Sequence, residues 1–594
     1  MDTANTLNQS ASALRENAGT SGAVQSGYLS FVPVHLHVAK GAHGVLMISP
    51  WGIEELCARK TYRRLAERLA DKGYPALRFD FPGTSDARGY SATETWWAAA
   101  NGVLQSFIKQ NNLASVTVLA QGVGALLAAR LVAEHSAVTG CILLAPVATG
   151  RHYLRELVAW SNLMKETYRD ETVKGEDGSL RSAGFTLSSG IQAELKSLST
   201  AKLLASASAA VLLLQRPNHP GDEKLADEFA QTSLDLTRKD FDEFSKYVGD
   251  PTLSELPERT LDTIERWLEQ KNSPEKNTVG SVIEVEALLK SLSLSHTKNA
   301  ATEEMVRFGA GHACFGVLTL PGTPLSETGI IFLNSGYDHH IGWGRCHVKF
   351  ARSLAEEGHL SLRIDASGVG EAELHDGQNS QILYSESQIP DVAAAVDVLK
   401  ERGMKKIVLV GRCSGAYLAF LAASSDSRVS TVVLVNTRRF AWDPRQEVDV
   451  EIRRPVQPLE NYQRKLRDWG TIKSALTSPQ KFRTALTKLM RGLYRPLKRT
   501  VERQLGSLSV SGRLIGLVHQ RMKSITQHGS KVVVLFGDDD MGRSELEYYF
   551  GPSGQDLARY SGARVEFISG TDHNLTSETS SQAFLSTLRH AARE

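Results

Sequence analysis

The apolar positions of this chain fall into short β-branched runs separated by longer amphipathic stretches, and the same succession of runs occurs twice. In the first half, residues 31–38 alternate apolar and polar side chains like an edge strand, and residues 44–49 form a continuous apolar run of the kind buried on both faces. Helical periodicity follows over 62–72, then a strand over 76–80 that opens on Pro82-Gly83-Thr84-Ser85. A second helix over 93–110 leads to a strand–turn–helix unit at 116–125 and a strand at 140–145. The second half repeats this order with strands at 315–320 and 329–334, a helix at 344–357 and a strand at 360–365. Ser367-Gly368-Val369-Gly370, a helix at 389–401, a strand at 407–410 and another at 430–436 complete the series.

Strands alternating with helices of roughly ten to fifteen residues predict a doubly wound, mostly parallel sheet. Asp80-x-x-Gly83 and Asp365-x-x-Gly368 occupy matching slots, so the reading is two α/β domains arisen by duplication. The expected organisation is a mobile tail over 1–28, a first domain over 29–269, a polar, turn-rich linker over 270–301 and a second domain over 302–594. Each domain carries an insertion that reads as a helical lid, at about 150–203 and about 438–523. Two domains also fit the length, since 594 residues exceed what a single core supports.

Charge changes the picture in one place. The net charge of +2 gives no global reason to expect nucleic acid, but the second lid holds 20 Lys+Arg against 7 Asp+Glu while the remainder is acidic. Such a surface suits an anionic partner, such as an acyl carrier protein or a coenzyme A thioester. Five scattered cysteines (Cys57, Cys141, Cys314, Cys346 and Cys413) form neither a disulfide framework nor a C-x-x-C metal pair, which suggests a reducing compartment. Residues 1–25 lack the basic and apolar regions of a secretory signal. The most apolar long window, 116–133, is broken by Gln121, Gly122, Gly124 and Arg130, so no transmembrane segment is expected and the predicted location is cytoplasmic.

The chemistry concentrates in Gly411-Arg412-Cys413-Ser414-Gly415, between an apolar strand and a helix-forming run. This is a G-x-C-x-G nucleophile elbow, with glycines where side chains would clash and a helix N-terminus aimed at the sulfur, favouring thiolate. A buried structural cysteine is the simpler reading of the pentapeptide alone. Further along, the strand at 531–537 ends in Asp538-Asp539-Asp540, and the strand at 564–568 ends near Asp572-His573-Asn574.

Elbow, acid after a strand and His after the next strand is the order in which this chain resembles the α/β-hydrolase superfamily, of the serine-aminopeptidase and esterase-like kind. The resemblance implies a triad of Cys413, His573 and Asp540, with Asp538 and Asp539 as alternative acids. It implies an oxyanion hole from the backbone N–H groups of Ser414 and Tyr337, although Asn334-Ser335-Gly336 replaces the family's His-Gly pair. Ser414 lies one position off the elbow tip, so it is not the expected nucleophile. His339 and His340 are candidate pocket residues and not metal ligands. No metal or other cofactor is expected.

The first half departs from the pattern at every chemical position. Its elbow, Ala120-Gln121-Gly122-Val123-Gly124, has Gly122 at the nucleophile slot. Asn218 takes the acid slot, and the His slot falls near Asp250-Pro251-Thr252. The G-x-G of Gly122 and Gly124 also begins a dinucleotide fingerprint, but Leu127 replaces its third small residue and no acid ends a following strand. The first half is therefore expected to be catalytically dead, packing on the live domain and shaping its entrance. The elbow and the Arg-rich lid also resemble, loosely, hydrolase-like proteins that accompany bacterial polysaccharide or natural-product biosynthesis. Three functions follow: a Cys-dependent ester or thioester hydrolase, an acyltransferase sharing its acyl-enzyme step, and a non-catalytic scaffold.

Overall fold

The computed structural model describes residues 24–168, 173–272, 288–294, 300–452 and 509–594. Most of the basic lid expected over 438–523, including 453–508, lies outside the described residues, as do 1–23 of the expected tail and much of the linker.

Two mixed sheets organise the chain. The first has eight strands in the spatial order Val24–Leu29, Val32–His37, Ala76–Phe79, His43–Ile48, Ser115–Gln121, Val138–Leu144, Ala210–Gln215 and Leu236–Asp240. Val32–His37 runs antiparallel to both neighbours and every other pairing from Ala76–Phe79 onward is parallel. The second sheet repeats the order with Thr302–Phe308, Cys314–Leu320, Leu360–Asp365, Thr328–Phe332, Lys406–Arg412, Val429–Val435, Lys531–Gly537 and Ala563–Ile568. A ninth strand, Ser291–Ser293, extends its edge. The central strands are apolar on both faces because helices cover both, among them Ile53–Asp71 and Gly124–Glu134 in the first half and Cys346–Glu356 and Ser414–Ser425 in the second.

The pattern misplaces two edges. The strand read as an edge at 31–38 is second in its sheet, and the true edge, Val24–Leu29, begins inside the segment read as a tail. Its sequence, with Gly27 and two polar residues in six, carries too little alternation to be seen alone. At the opposite edge, Leu236–Asp240 is largely charged, as solvent-facing edge strands often are, and gives no apolar signal.

The halves meet through equivalent elements. Arg78 stands two residues before Asp80 and Arg363 two before Asp365, while Asp86 and Glu371 each stand six after the corresponding aspartate. Across the seam, Arg78 grips Glu371 at 2.8 and 2.7 Å, and Arg363 reaches Asp86 at 2.5 Å. All four side chains are buried. Arg59 bridges Asp80 at 2.6 Å and Glu371 at 2.8 Å, and His340 bridges Asp365 at 2.8 Å and Asp86 at 2.6 Å. The pairs Arg78–Glu371, Arg363–Asp86, Arg59–Glu371 and His340–Asp86 cross between the halves in a pseudo-twofold exchange, the self-complementary geometry of an isologous dimer interface within one chain. Packing continues across the seam, for Ile341, Trp343 and Val348 of the second half lie in the first half's core.

Removing one member of this exchange strands its partners in a dry environment, at a cost of about 3–5 kcal/mol. Glu371→Ala is expected to lower the urea midpoint accordingly. Arg402→Ala, which breaks a partly exposed pair with Glu304 at 3.2 Å, is expected to cost under about 1 kcal/mol. Equal losses in the two variants would contradict the central role of the seam.

Candidate active site

The strand Lys406–Arg412 delivers Cys413 to a sharp turn, where it takes φ 56° and ψ −117°, before the helix Ser414–Ser425 begins. A non-glycine residue at such a φ is held there by its surroundings. A Cβ on Gly411 would lie 2.1 Å from the Gly415 carbonyl oxygen, and one on Gly415 would lie 2.1 Å from that of Asn334. Both glycines are therefore needed for the turn to close.

The acid and the His arrive on neighbouring loops. Asp540 Oδ1 accepts the Gly542 amide at 2.7 Å, and its Oδ2 lies 2.6 Å from His573 Nδ1. Asn436 clips the two loops together, its amide donating to the His573 carbonyl at 2.9 Å while its oxygen accepts the Gly537 amide at 2.9 Å. The buried His573 Nε2 has no hydrogen-bond partner among the described residues, and Cys413 lies near enough to raise the pKa of the imidazole. Asp540 is buried, whereas Asp538 is half-buried and Asp539 exposed. Of the three aspartates, Asp540 is the one that reaches His573.

The turn after Thr328–Phe332 supplies the other side of the site. Ser414 Oγ accepts the Gly336 amide at 2.8 Å, so this hydroxyl is committed to the turn and does not face the reacting space. The amides of Ser414 and Tyr337 have no backbone acceptor among the described residues. Arg412, the variable residue of the elbow, ties the turn to the His loop: it donates to Asp338 at 3.1 Å and to Asn574 at 2.5 Å. Nothing in the motif marks this role. Beside the turn, a cleft is walled by Val369, Ile382, Leu383, Tyr384, Tyr417 and Leu418. Tyr384 stacks on Trp442 with centroids 4.8 Å apart and meets Tyr417 edge-on.

His339 and His340 do not line this cleft. Both are buried in the seam, His339 lying 3.2 Å from Glu55 and His340 between Asp86 and Asp365. Ligand atoms of His339, His340 and Asp365 lie within 4.8 Å of one another. Yet burial, which lowers the His340 pKa, is outweighed by its two carboxylates, which hold it up at about 10. His340 is thus held as a cation between the carboxylates of the two halves.

Electrostatics single out one cysteine. Burial pushes up the thiols of Cys57 and Cys141, each to about 12, and of Cys346 to about 11, and it raises Cys314 further. Burial acts on Cys413 in the same sense, but His573, Arg438 and Arg412 outweigh it and bring the thiol down to about 7. For His573, the loss of hydration is overcome by Asp540 and Cys413, which raise it to about 9. Asp540 is held below its ordinary value, since His573 and the Gly542 amide more than offset its burial. The three groups thus favour a thiolate–imidazolium pair oriented by a carboxylate.

The first half has the same backbone without the chemistry. Gly122 takes φ 55° at its elbow, and a Cβ there would lie 2.7 Å from Glu54 Oε2. Glu54, which accepts from Gln121 Nε2 at 2.9 Å, fills the space a nucleophile would need. Sequence reading missed this plug, because Glu54 lies far from the elbow along the chain.

Residues 44–204 match the family model described as serine aminopeptidase, S33, and residues 330–586 match that of the alpha/beta hydrolase family. The chain belongs to the α/β-hydrolase superfamily and consists of two such domains in tandem. Similar solved structures include an esterase of Pyrococcus furiosus, 13% identical, with a TM-score of 0.30 over 50% of this chain and 91% of that one. Another is the proline iminopeptidase of Mycobacterium smegmatis, 14% identical, with a TM-score of 0.29 over 48% of this chain and 97% of that one. A third is Est1E of Butyrivibrio proteoclasticus with bound ferulic acid, 14% identical, with a TM-score of 0.28 over 49% and 94%. No curated protein matches the chain. Among the described residues no helix is long and apolar enough to cross a membrane.

At pH 7 iodoacetamide is expected to label Cys413 ahead of the other four cysteines, with a rate that rises through an apparent pKa near 7. His573→Ala removes the neighbouring cation while burial remains, so the midpoint should climb to the ordinary thiol value of about 8.5 or above. Peptide mapping of the alkylated protein across pH measures both, and uniform labelling of all five cysteines would contradict the assignment.

Proposed function

We propose that the second domain cleaves an ester or thioester through an acyl-Cys413 intermediate, with His573 as the proton carrier and Asp540 as its orienting acid. The observation that carries this reading is the hydrogen-bonded Asp540–His573 pair facing a depressed-pKa cysteine on a strained elbow. The Cys413 thiolate attacks the carbonyl carbon, and the electron pair moves onto the oxygen. The amides of Ser414 and Tyr337 receive that charge, each donor of this kind being worth about 2.7–4 kcal/mol in the transition state. The tetrahedral adduct collapses as the His573 imidazolium protonates the departing alcohol or thiol. Neutral His573 then takes a proton from water, which attacks the thioester and regenerates the thiolate as the acid leaves. Asp540 stays ionised throughout and stabilises the imidazolium. The cleft beside the Tyr337 turn joins its apolar and aromatic walls to the polar Asn334, Ser385 and Gln388, which suits an aliphatic or aromatic acyl group better than a highly charged one.

A second acceptor in place of water gives acyl transfer by the same intermediate. The carrier-docking role expected of the basic lid concerns residues mostly outside those described, so transfer gains no observation of its own and hydrolysis is kept as the proposal.

Mass spectrometry after exposure to short p-nitrophenyl esters and acyl thioesters should reveal one acyl group on Cys413. Cys413→Ala should abolish the adduct, and His573→Ala should slow turnover by about a hundredfold or more. Absence of an adduct from every donor would leave the scaffold reading in its place. Added amine or alcohol that yields a new ester or amide at the expense of free acid would identify a transferase.

The profile of kcat/KM against pH should be bell-shaped, with limbs near 7 and near 9. The acidic limb reports formation of thiolate and the alkaline limb loss of the imidazolium proton. A single acidic limb with no fall above pH 9 would argue against leaving-group protonation by His573.

A further inference from the structure

We infer that the degenerate first half is the positioning element of the second half's site, and that Lys60 and Thr252 hold the turn presenting the Tyr337 amide. This rests on the acyl-Cys413 reading above. Thr252 stands in the His slot that the first half has lost, in a short turn, Pro251–Leu253, capped by Asp250, whose carboxylate accepts the Thr252 amide at 2.8 Å. The turn is anchored to the empty elbow. Ser254 donates to the Tyr247 carbonyl at 2.7 Å, and the Tyr247 hydroxyl donates to Gln121 at 2.9 Å. Gln121 in turn holds Glu54. A lost catalytic loop has thus become a braced structural one.

That loop abuts the live half. Gly336 takes φ 61°, and a Cβ on it would lie 2.7 Å from Thr252 Oγ1, so the hydroxyl fills the space a side chain would need beside the peptide before Tyr337. Lys60, on the first half's helix Ile53–Asp71, places its ammonium 5.4 Å from the Tyr337 ring centroid, where a cation is attracted to the ring face. From the same helix Glu55 engages His339, at the far end of the turn. The His573 loop is braced from the same side. A Cβ on Gly184, in the first lid's hairpin, would lie 3.2 Å from the Thr576 methyl, three residues after His573. Both loops of the live site therefore lean on the dead half, and Lys60 and Thr252 touch the one that carries an oxyanion donor.

Two reactions of Cys413 separate this role from general support. Alkylation by iodoacetamide is a displacement at saturated carbon that builds no oxyanion, so it reads the thiolate and His573 alone. Acylation by p-nitrophenyl acetate needs the amide as well. Lys60→Met and Thr252→Gly together are expected to slow acylation and kcat by about ten- to a hundredfold, with KM within about twofold and the alkylation rate unchanged. Lys60→Arg, which keeps the cation over the ring, is expected to retain most of the wild-type rate. Unchanged acylation in the double variant overturns the proposal. Parallel loss of acylation and alkylation also overturns it, since the first half would then only keep the domain folded. Failure of wild-type Cys413 to be acylated while it is still alkylated counts instead against the acyl-enzyme reading itself.

Discussion

The structure depends on two arginine–carboxylate pairs that cross between the halves, Arg78 with Glu371 and Arg363 with Asp86. Buried charges are costly unless each is matched, and here each half supplies what the other lacks. The pairs sit at the loops after equivalent strands, so satisfying one half's charges fixes where the other half must sit. Arg59 and His340 extend the same exchange, and His340 leads directly into the turn that carries Tyr337. The electrostatic seam and the chemistry of the second half are separated by a few residues of backbone.

Within that frame the two elbows share a backbone and differ in what fills the space above it. Both turns share the left-handed nucleophile position, Gly122 at φ 55° and Cys413 at φ 56°. The conformation is therefore a property of the fold, while its strain falls on Cys413, which unlike Gly122 has a Cβ to accommodate. What differs is the occupant of the space above the turn: the Glu54 carboxylate in one half, and a thiol facing an imidazole in the other. His573 first, then Arg438 and Arg412, place positive charge near Cys413, which explains why this thiol escapes the upward shift that burial imposes on the other four.

Much of this was legible in the sequence because it rests on local rules. The apolar runs located the central strands, the spacing of Asp80-x-x-Gly83 and Asp365-x-x-Gly368 revealed the duplication, and the elbow glycines announced the turn. Gly537 to Asp540 also pointed to the aspartate that reaches His573. What stayed hidden depends on contacts between distant segments. His339 and His340 looked like pocket residues because a histidine pair carries no mark of the carboxylates it will meet across a seam. The roles of Arg412, Glu54, Lys60 and Thr252 are invisible for the same reason. The charged edge strand Leu236–Asp240 was missed because its hydrogen bonds, and not its side chains, place it.

The pseudo-twofold exchange has a further consequence once the two halves share one chain. In a symmetric homodimer every substitution appears twice, so a residue cannot specialise without altering both sites, and assembly weakens on dilution. Tethering removes both constraints. The local concentration of one half about the other is on the order of millimolar whatever the amount of protein, so the arrangement is insensitive to expression level. Freed from identity, the two halves can carry different side chains at equivalent positions, as Gly122 and Cys413 do. The chain thus keeps two differently furnished copies of one fold permanently assembled about a single seam.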